Sequence, residues 1–389
     1  MPVLNRAAEL QDEVTQWRRH IHQNPELNYD VFKTAAFVAE KLRAFGCDEV
    51  VEGIGRTGVV GLIRGRKGDG PTIALRADMD ALPIEEETNL PYRSRTPGKM
   101  HACGHDGHTT MLLGAARYLA ETKNFDGTAV FVFQPAEEGL GGARAMIADG
   151  LFETFPVDEI YAIHNFPGGP HGKLMVRPGP AMAAADFFDI RITGRGAHAA
   201  QPHWGVDPII VATQLTQAMQ SIVSRNSDPL KAAVLSITQI HAGTAYNVIP
   251  ESAHLAGTVR SFDAELRKLI ARRIRELSKG IAEAYGASVD VDIRDVFSVL
   301  DNSAEHAAAA AEIATELFGD ENVDPECKAR MGSEDFADML RTVPGAYAWL
   351  GAMPGPGLHN ASFNFDDSII PLGAAFLARM VERRSAVAG

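Results

Sequence analysis

Cysteine is scarce in this chain: Cys47, Cys103 and Cys327 are the only three in 389 residues. An odd, sparse set gives no disulfide framework and points to a reducing compartment. Positive charge is also short, with 37 Lys and Arg against 50 Asp and Glu and a formal net charge of −13. Nucleic acid and anionic membrane are therefore not expected as partners, because both need a basic footprint. No apolar run approaches the roughly 18 residues of a membrane span. Met1–Val14 has neither the basic start nor the apolar core of a signal peptide, so the cytoplasm is the expected compartment. Internal repeats and low-complexity segments are missing too. What is present is a chain 46% hydrophobic and 22% charged, ordinary for a globular protein and long enough for two domains.

Apolar spacing predicts helices over Leu10–His22 and Thr34–Phe45, with Gly46 as a stop. Thr57–Ile63, Thr72–Ala77, Thr128–Phe133 and Glu159–Ile163 read as buried strands, with helices from His108 through Leu119 and over Ala143–Ile147. Strands alternating with helices imply an α/β domain with a mostly parallel sheet covered on both faces. The pattern breaks near Pro178–Pro180. From there two long helices, Pro208–Ile222 and Ala264–Tyr285, sit among strands at Phe187–Ile192, Ala232–Gln239, Ser252–Val259 and Ser288–Ile293. That reads as a smaller α+β domain, 185–295, inserted into a host made of 1–184 and 296–389. The host resumes with helices at Ala304–Leu317, Glu334–Leu340 and Leu372–Arg383 around a strand near Tyr347–Leu350.

Five places carry residues suited to chemistry. Met100–His108 puts Cys103 and His105 two apart, with Gly104 and Gly107 allowing a tight turn around an ion. Gln134–Gly139 follows a buried strand and holds Glu137 and Glu138; strand alternation would point the two carboxylates apart, one to a metal and one to a reacting water. The bland alternative is a solvated helix start. His164 ends the strand Ile160–Ile163, and His359 lies in the loop Pro354–Asn360; either one alone is more often structural than ligating. Asp78 and Asp80 follow Arg76 at a strand end, where they could buttress a histidine ligand or simply form a turn. Taken together, Asp80, Glu138 and His164 all follow strands, where open α/β sheets bind ligands. A closed structural zinc site would have no use for a spare carboxylate.

With these residues in view, the chain resembles the bacterial hippurate hydrolases and plant indole-acetyl-amino-acid hydrolases, within the aminoacylase and carboxypeptidase group of dinuclear metalloenzymes. The likeness runs nearly end to end, through Trp17–Leu27, Leu75–Pro83, Met100–His108, Gln134–Gly139, Gly194–Pro202, Asn247–Pro250, Gly257–Arg260 and Met331–Phe336. It implies a zinc-peptidase-type catalytic domain with an inserted lid or dimerisation domain, and a homodimer or homotetramer. It implies Cys103, His105, Glu138, His164 and His359 as ligands of two divalent ions, with Cys103 bridging them; zinc suits the donors first, and manganese, cobalt or nickel could take them. Glu137 becomes the general base and acid, Asp80 a support for the ligands, and His198 an oxyanion-stabilising histidine that a partner subunit often supplies. A helper histidine on an inserted domain implies closure on substrate. Asn247 and Arg260 become substrate contacts, the arginine for a carboxylate, unless Arg260 pairs with an internal acid such as Asp263. The activity implied is hydrolysis of N-acyl amino acids, such as hippurate to benzoate and glycine. A dipeptidase or a deacetylase of an N-acetyl amino acid such as N-acetyl-diaminopimelate would use the same chemistry. A non-catalytic metal-binding protein would leave Glu137 unexplained.

Overall fold

Three central strands, Thr72–Asp78, Thr128–Gln134 and Glu159–Pro167, are almost wholly buried, as parallel strands covered on both faces must be. In the computed structural model, which describes residues 1–66 and 68–386, they lie in an eight-stranded mixed sheet. Its order is Glu49–Ile54, Gly58–Arg64, Thr128–Gln134, Thr72–Asp78, Glu159–Pro167, Gly345–Ala352, Leu174–Met175, Val323–Asp324. The four middle strands, from Thr128–Gln134 to Gly345–Ala352, run parallel. Alternation then sorts their side chains. Ile73, Leu75, Ala77, Ala129, Phe131 and Phe133 enter one apolar core with the helices His105–Thr122 and Ile370–Arg384. Arg76 and Asp78 must therefore share the opposite face, where Asp78 pairs in register with Gln134.

The sheet belongs to one of two compact units, made of Met1–Ala181, Leu300–Ala329 and Glu334–Gly389. The other unit is Met182–Val299 with the short return Arg330–Ser333, a return that sequence patterning did not suggest. Here four antiparallel strands lie in the order Ala233–Ala242, Ser252–Ser261, Ala184–Thr193, Ser288–Phe297. The helices Pro208–Ser221 and Ala264–Ala284 pack against them through Phe188, Ile190, Leu255, Val211, Ile270 and Ile274. Each helix starts on an aspartate cap: Asp207 accepts from Ile209 N at 2.9 Å and Asp263 from Leu266 N at 2.8 Å.

Two helix starts near the site differ from expectation. The helix expected from His108 begins at His105, because Gly104 takes a left-handed φ of 97° and turns the chain into the first helical residue. The helix expected from Glu334 begins at Phe336, since Glu334 and Asp335 spend their carboxylates on buried partners. The helix Pro2–Glu9 and the edge strand Glu49–Ile54 went unread, the strand because three of its six residues are polar or glycine.

Candidate metal centre

The strand ends and the Cys103 turn bring five donors together. The ligand atoms of Cys103, His105 and His164 lie within 4.8 Å of one another, as do those of Cys103, Glu138 and His359. Cys103 thus belongs to both groups. His105 Nδ1 donates to the Asp80 carbonyl at 2.8 Å, and His164 Nδ1 to the Asn165 carbonyl at 2.7 Å. Each carbonyl fixes its ring with a bare Nε2. The His164 Nε2 stands 3.5 Å from Cys103 Sγ, and the His105 Nε2 is buried without a hydrogen bond. Glu138 Oε1 is likewise buried and unbonded, 3.3 Å from His359 Nε2. Unbonded lone pairs on soft and borderline donors, facing one another in the interior, are what divalent ions would satisfy. The donor set fits two such ions.

Gly104 has a second reason to be glycine: a Cβ there would come within 2.4 Å of Asn165 Oδ1. His359 reaches the centre from a left-handed backbone, φ 60°, anchored by its amide to the Ala102 carbonyl at 2.8 Å. His108 looks like a sixth ligand in sequence but is not available. Its Nδ1 is 2.7 Å from Asp78 Oδ1, and its Nε2 lies 2.7 Å from Asn165 Oδ1 and 3.0 Å from Asn165 N. His101, the remaining histidine of the run, is buried, lies outside the donor groups, and is pushed down to about 3 by burial.

Glu137 and Glu138 are not separated by strand alternation, because the strand stops at Gln134 and both residues lie in a turn entered through Ala136 at φ 54°. Asp80 holds that turn. Its two carboxylate oxygens accept from Glu137 N at 3.0 Å and Glu138 N at 3.2 Å, while its carbonyl orients His105. One aspartate therefore aligns two candidate donors, His105 and Glu138, and the Glu137 that precedes Glu138 in the turn. Glu137 Oε2 sits 3.9 Å from His105 Nε2. Burial, then the nearby charges of Glu334 and Glu138, push the Glu137 carboxyl well above the usual range.

Below it lies a buried ionic cluster that the sequence reading did not assign. Arg76 donates to Asp78 at 2.8 Å, Glu334 at 2.9 Å, Asp335 at 3.2 Å and Gln134 at 2.9 Å, and the Tyr347 hydroxyl closes on Glu334 at 2.8 Å. A charged residue inside an otherwise apolar strand, together with the acidic pair in Met331–Phe336, was the available signal. A second buried set stands behind the Cys103 turn: His22 Nδ1 is 2.8 Å from Asp106 Oδ2, and Arg18 bonds both Asp106 and Asp367. The helix Gln11–Gln23 thereby braces the first turn of the helix that carries His105.

His198, Asn247 and Arg260 belong to the second unit. His198 is exposed, on a two-residue strand facing Val248, and the Asn247 carbonyl accepts from Ala199 N at 3.0 Å, so these two residues are neighbours. Arg260 does not pair with Asp263, which is taken by Lys231 and its helix cap. Its guanidinium bonds the Ser333 hydroxyl instead.

A model of the peptidase family M20/M25/M40 matches residues 74–383. The chain is 46% identical over 380 residues to a hippurate hydrolase of Campylobacter jejuni, covering 98% of each. It is 39% identical over 368 residues to an N-acetylcysteine deacetylase of Bacillus subtilis, covering 93% of this chain and 94% of that one. Among solved structures it matches a Bacillus subtilis dinuclear metal binding peptidase from M20 family with TM-score 0.81 and 34% identity, over 96% and 98% of the two chains.

Proposed function

The chain belongs to peptidase family M20/M25/M40 and is a metal-dependent hydrolase of N-acyl amino acids, and from that premise we propose how its residues divide the work. Cys103, His105, Glu138, His164 and His359 would hold two divalent ions, zinc by preference, since Cys103 belongs to both donor groups. When bound, such ions supply Lewis acidity, acidifying a water and polarising the amide carbonyl. Glu137 takes the proton of the attacking water at its carboxylate and returns it to the leaving nitrogen. Its burial beside a ligand, with its amide fixed by Asp80, is the observation that carries this reading. His198 accepts from Ala200 N at its Nδ1, 3.0 Å away, which leaves the proton on Nε2 and suits it to donate to an oxyanion. Asn247 and Arg260 bind the amino-acid part of the substrate, Arg260 by its carboxylate.

We further propose an aromatic acyl group, as in hippurate, a cytoplasmic location, and assembly as a homodimer or homotetramer. No helix among the described residues is long and apolar enough to cross a membrane. Self-assembly is supported by the edge strand Ala233–Ala242 and the residues flanking it, where Leu230, Ile240, Tyr246 and Val248 stand exposed. The deciding assay is release of free amino acid from hippurate, indole-acetyl-aspartate, N-acetyl-methionine, N-acetyl-diaminopimelate and several dipeptides, each with and without chelator. Chelator-sensitive release from an aromatic-acyl substrate is expected. Turnover of free-amine dipeptides alone would reassign the enzyme as a peptidase.

A further inference from the structure

Arg260, on the strand Ser252–Ser261, is half-buried, and among the described residues no carboxylate pairs with it. Among the described residues its hydrogen-bond partner is the Ser333 hydroxyl, and its guanidinium carbon lies 6.0 Å from the Phe187 ring centre. Burial with no compensating anion lowers its pKa. Ser333 donates its own proton to the Ala183 carbonyl at 2.8 Å, so it can meet Arg260 only as an acceptor. It stands there because Arg330–Ser333 is stitched to this unit: Ala183 N donates to the carbonyls of Arg330 at 3.1 Å and Gly332 at 3.0 Å. A guanidinium has five N–H donors in a rigid fork. Ser333 engages one end of the fork and leaves the other donors for a ligand.

We propose that Ser333 is a positioning residue for recognition of the substrate's α-carboxylate, fixing the Arg260 fork without discharging it. The inference rests on the reading of Arg260 as the carboxylate-binding group. The choice of a hydroxyl follows from electrostatics. An acid at this position would hold the guanidinium equally well but would neutralise it and compete with the substrate. An apolar residue would leave the charge intact and the long side chain free to rotate, with an entropic cost on binding.

The test compares benzoylglycine with benzoylglycinamide, which lacks the carboxylate charge, as substrates and as competitive inhibitors of the metal-loaded enzyme. Ser333→Ala should raise KM for the acid about tenfold, with kcat within about twofold and the amide unaffected. Ser333→Thr, which keeps the hydroxyl, should restore the wild-type KM. Ser333→Asp should weaken the acid more than Ser333→Ala does, again sparing the amide. Arg260→Ala combined with Ser333→Ala should be no worse than Arg260→Ala alone, since the serine acts through the arginine. Equal losses for acid and amide, or additive effects in the double variant, would overturn the proposal. If wild type and Arg260→Ala treat acid and amide alike, the Arg260 reading itself fails. If that discrimination depends on Arg260 but is untouched by Ser333→Ala, only the role of Ser333 fails.

Discussion

Adjacent carboxylates with opposite environments define the centre at the scale of residues. Burial and the charges of Glu334 and Glu138 raise Glu137, whereas Glu138, though also opposed by burial, is held low by His359 and His105. Pairs of titratable groups pushed apart by their surroundings mark acid–base assignments. Glu137→Gln should therefore bind metal at wild-type stoichiometry and lose turnover by about 10³-fold or more; metal analysis alongside single-turnover kinetics checks both halves. His198→Ala should lose about 10²–10³ in kcat, the scale of one oxyanion donor, with metal content unchanged. Full kcat in that variant would remove the assignment. Asp80→Ala should weaken metal binding by about 10- to 100-fold in a chelator-competition titration, because the aspartate orients His105 and pins the amides of Glu137 and Glu138.

The helix His105–Thr122 is the element on which the centre depends, and its first turn is braced from behind by Arg18, His22 and Asp106. Burial opposes a charge on His22, but hydrogen bonds to Asp106 and Glu86 prevail and raise its pKa to about 9. A histidine raised in this way stabilises the fold fully below its ordinary pKa near 6.5, and that stability drains away as pH climbs through about 9. Thermal melts should show wild type exceeding His22→Gln most at pH 6, by at most about 3 kcal/mol, with the gap closing by pH 9.5. A gap that stayed constant across that range would mean the pair is not charged.

At the scale of the whole molecule, metal and self-assembly are the two variables. Ions that bind only the folded chain add stability by mass action, about 4 kcal/mol at 1,000 times Kd. Chelation should abolish turnover and lower Tm together, and zinc should restore both. If His198 acts from a partner subunit, specific activity should fall on dilution at the concentration where sedimentation shows dissociation. Activity that stayed proportional to enzyme in the monomer range would place His198 in the same chain as the site it serves.

Much of this was legible in the residues themselves. Strand length and apolar runs announced a parallel α/β sheet, and candidate metal donors betray themselves because few side chains can serve: Cys103, His105, Glu138, His164 and His359 are chemically conspicuous wherever they fall. Local signals could also place Gly46 and the two aspartate helix caps, since each acts within a turn of its own position. Other features depended on the path of the chain through space. Nothing near Asp80 in sequence shows that its carboxylate meets two amides 57 and 58 positions away. Arg76 finds Glu334 across 258 positions and Arg18 finds Asp367 across 349. Ser333 reaches Arg260 only because four residues of a late loop return to the second unit. Donor chemistry is a property of single residues and can be read in any order; the hydrogen bonds that orient donors are pairwise, and only the folded chain decides which pairs meet.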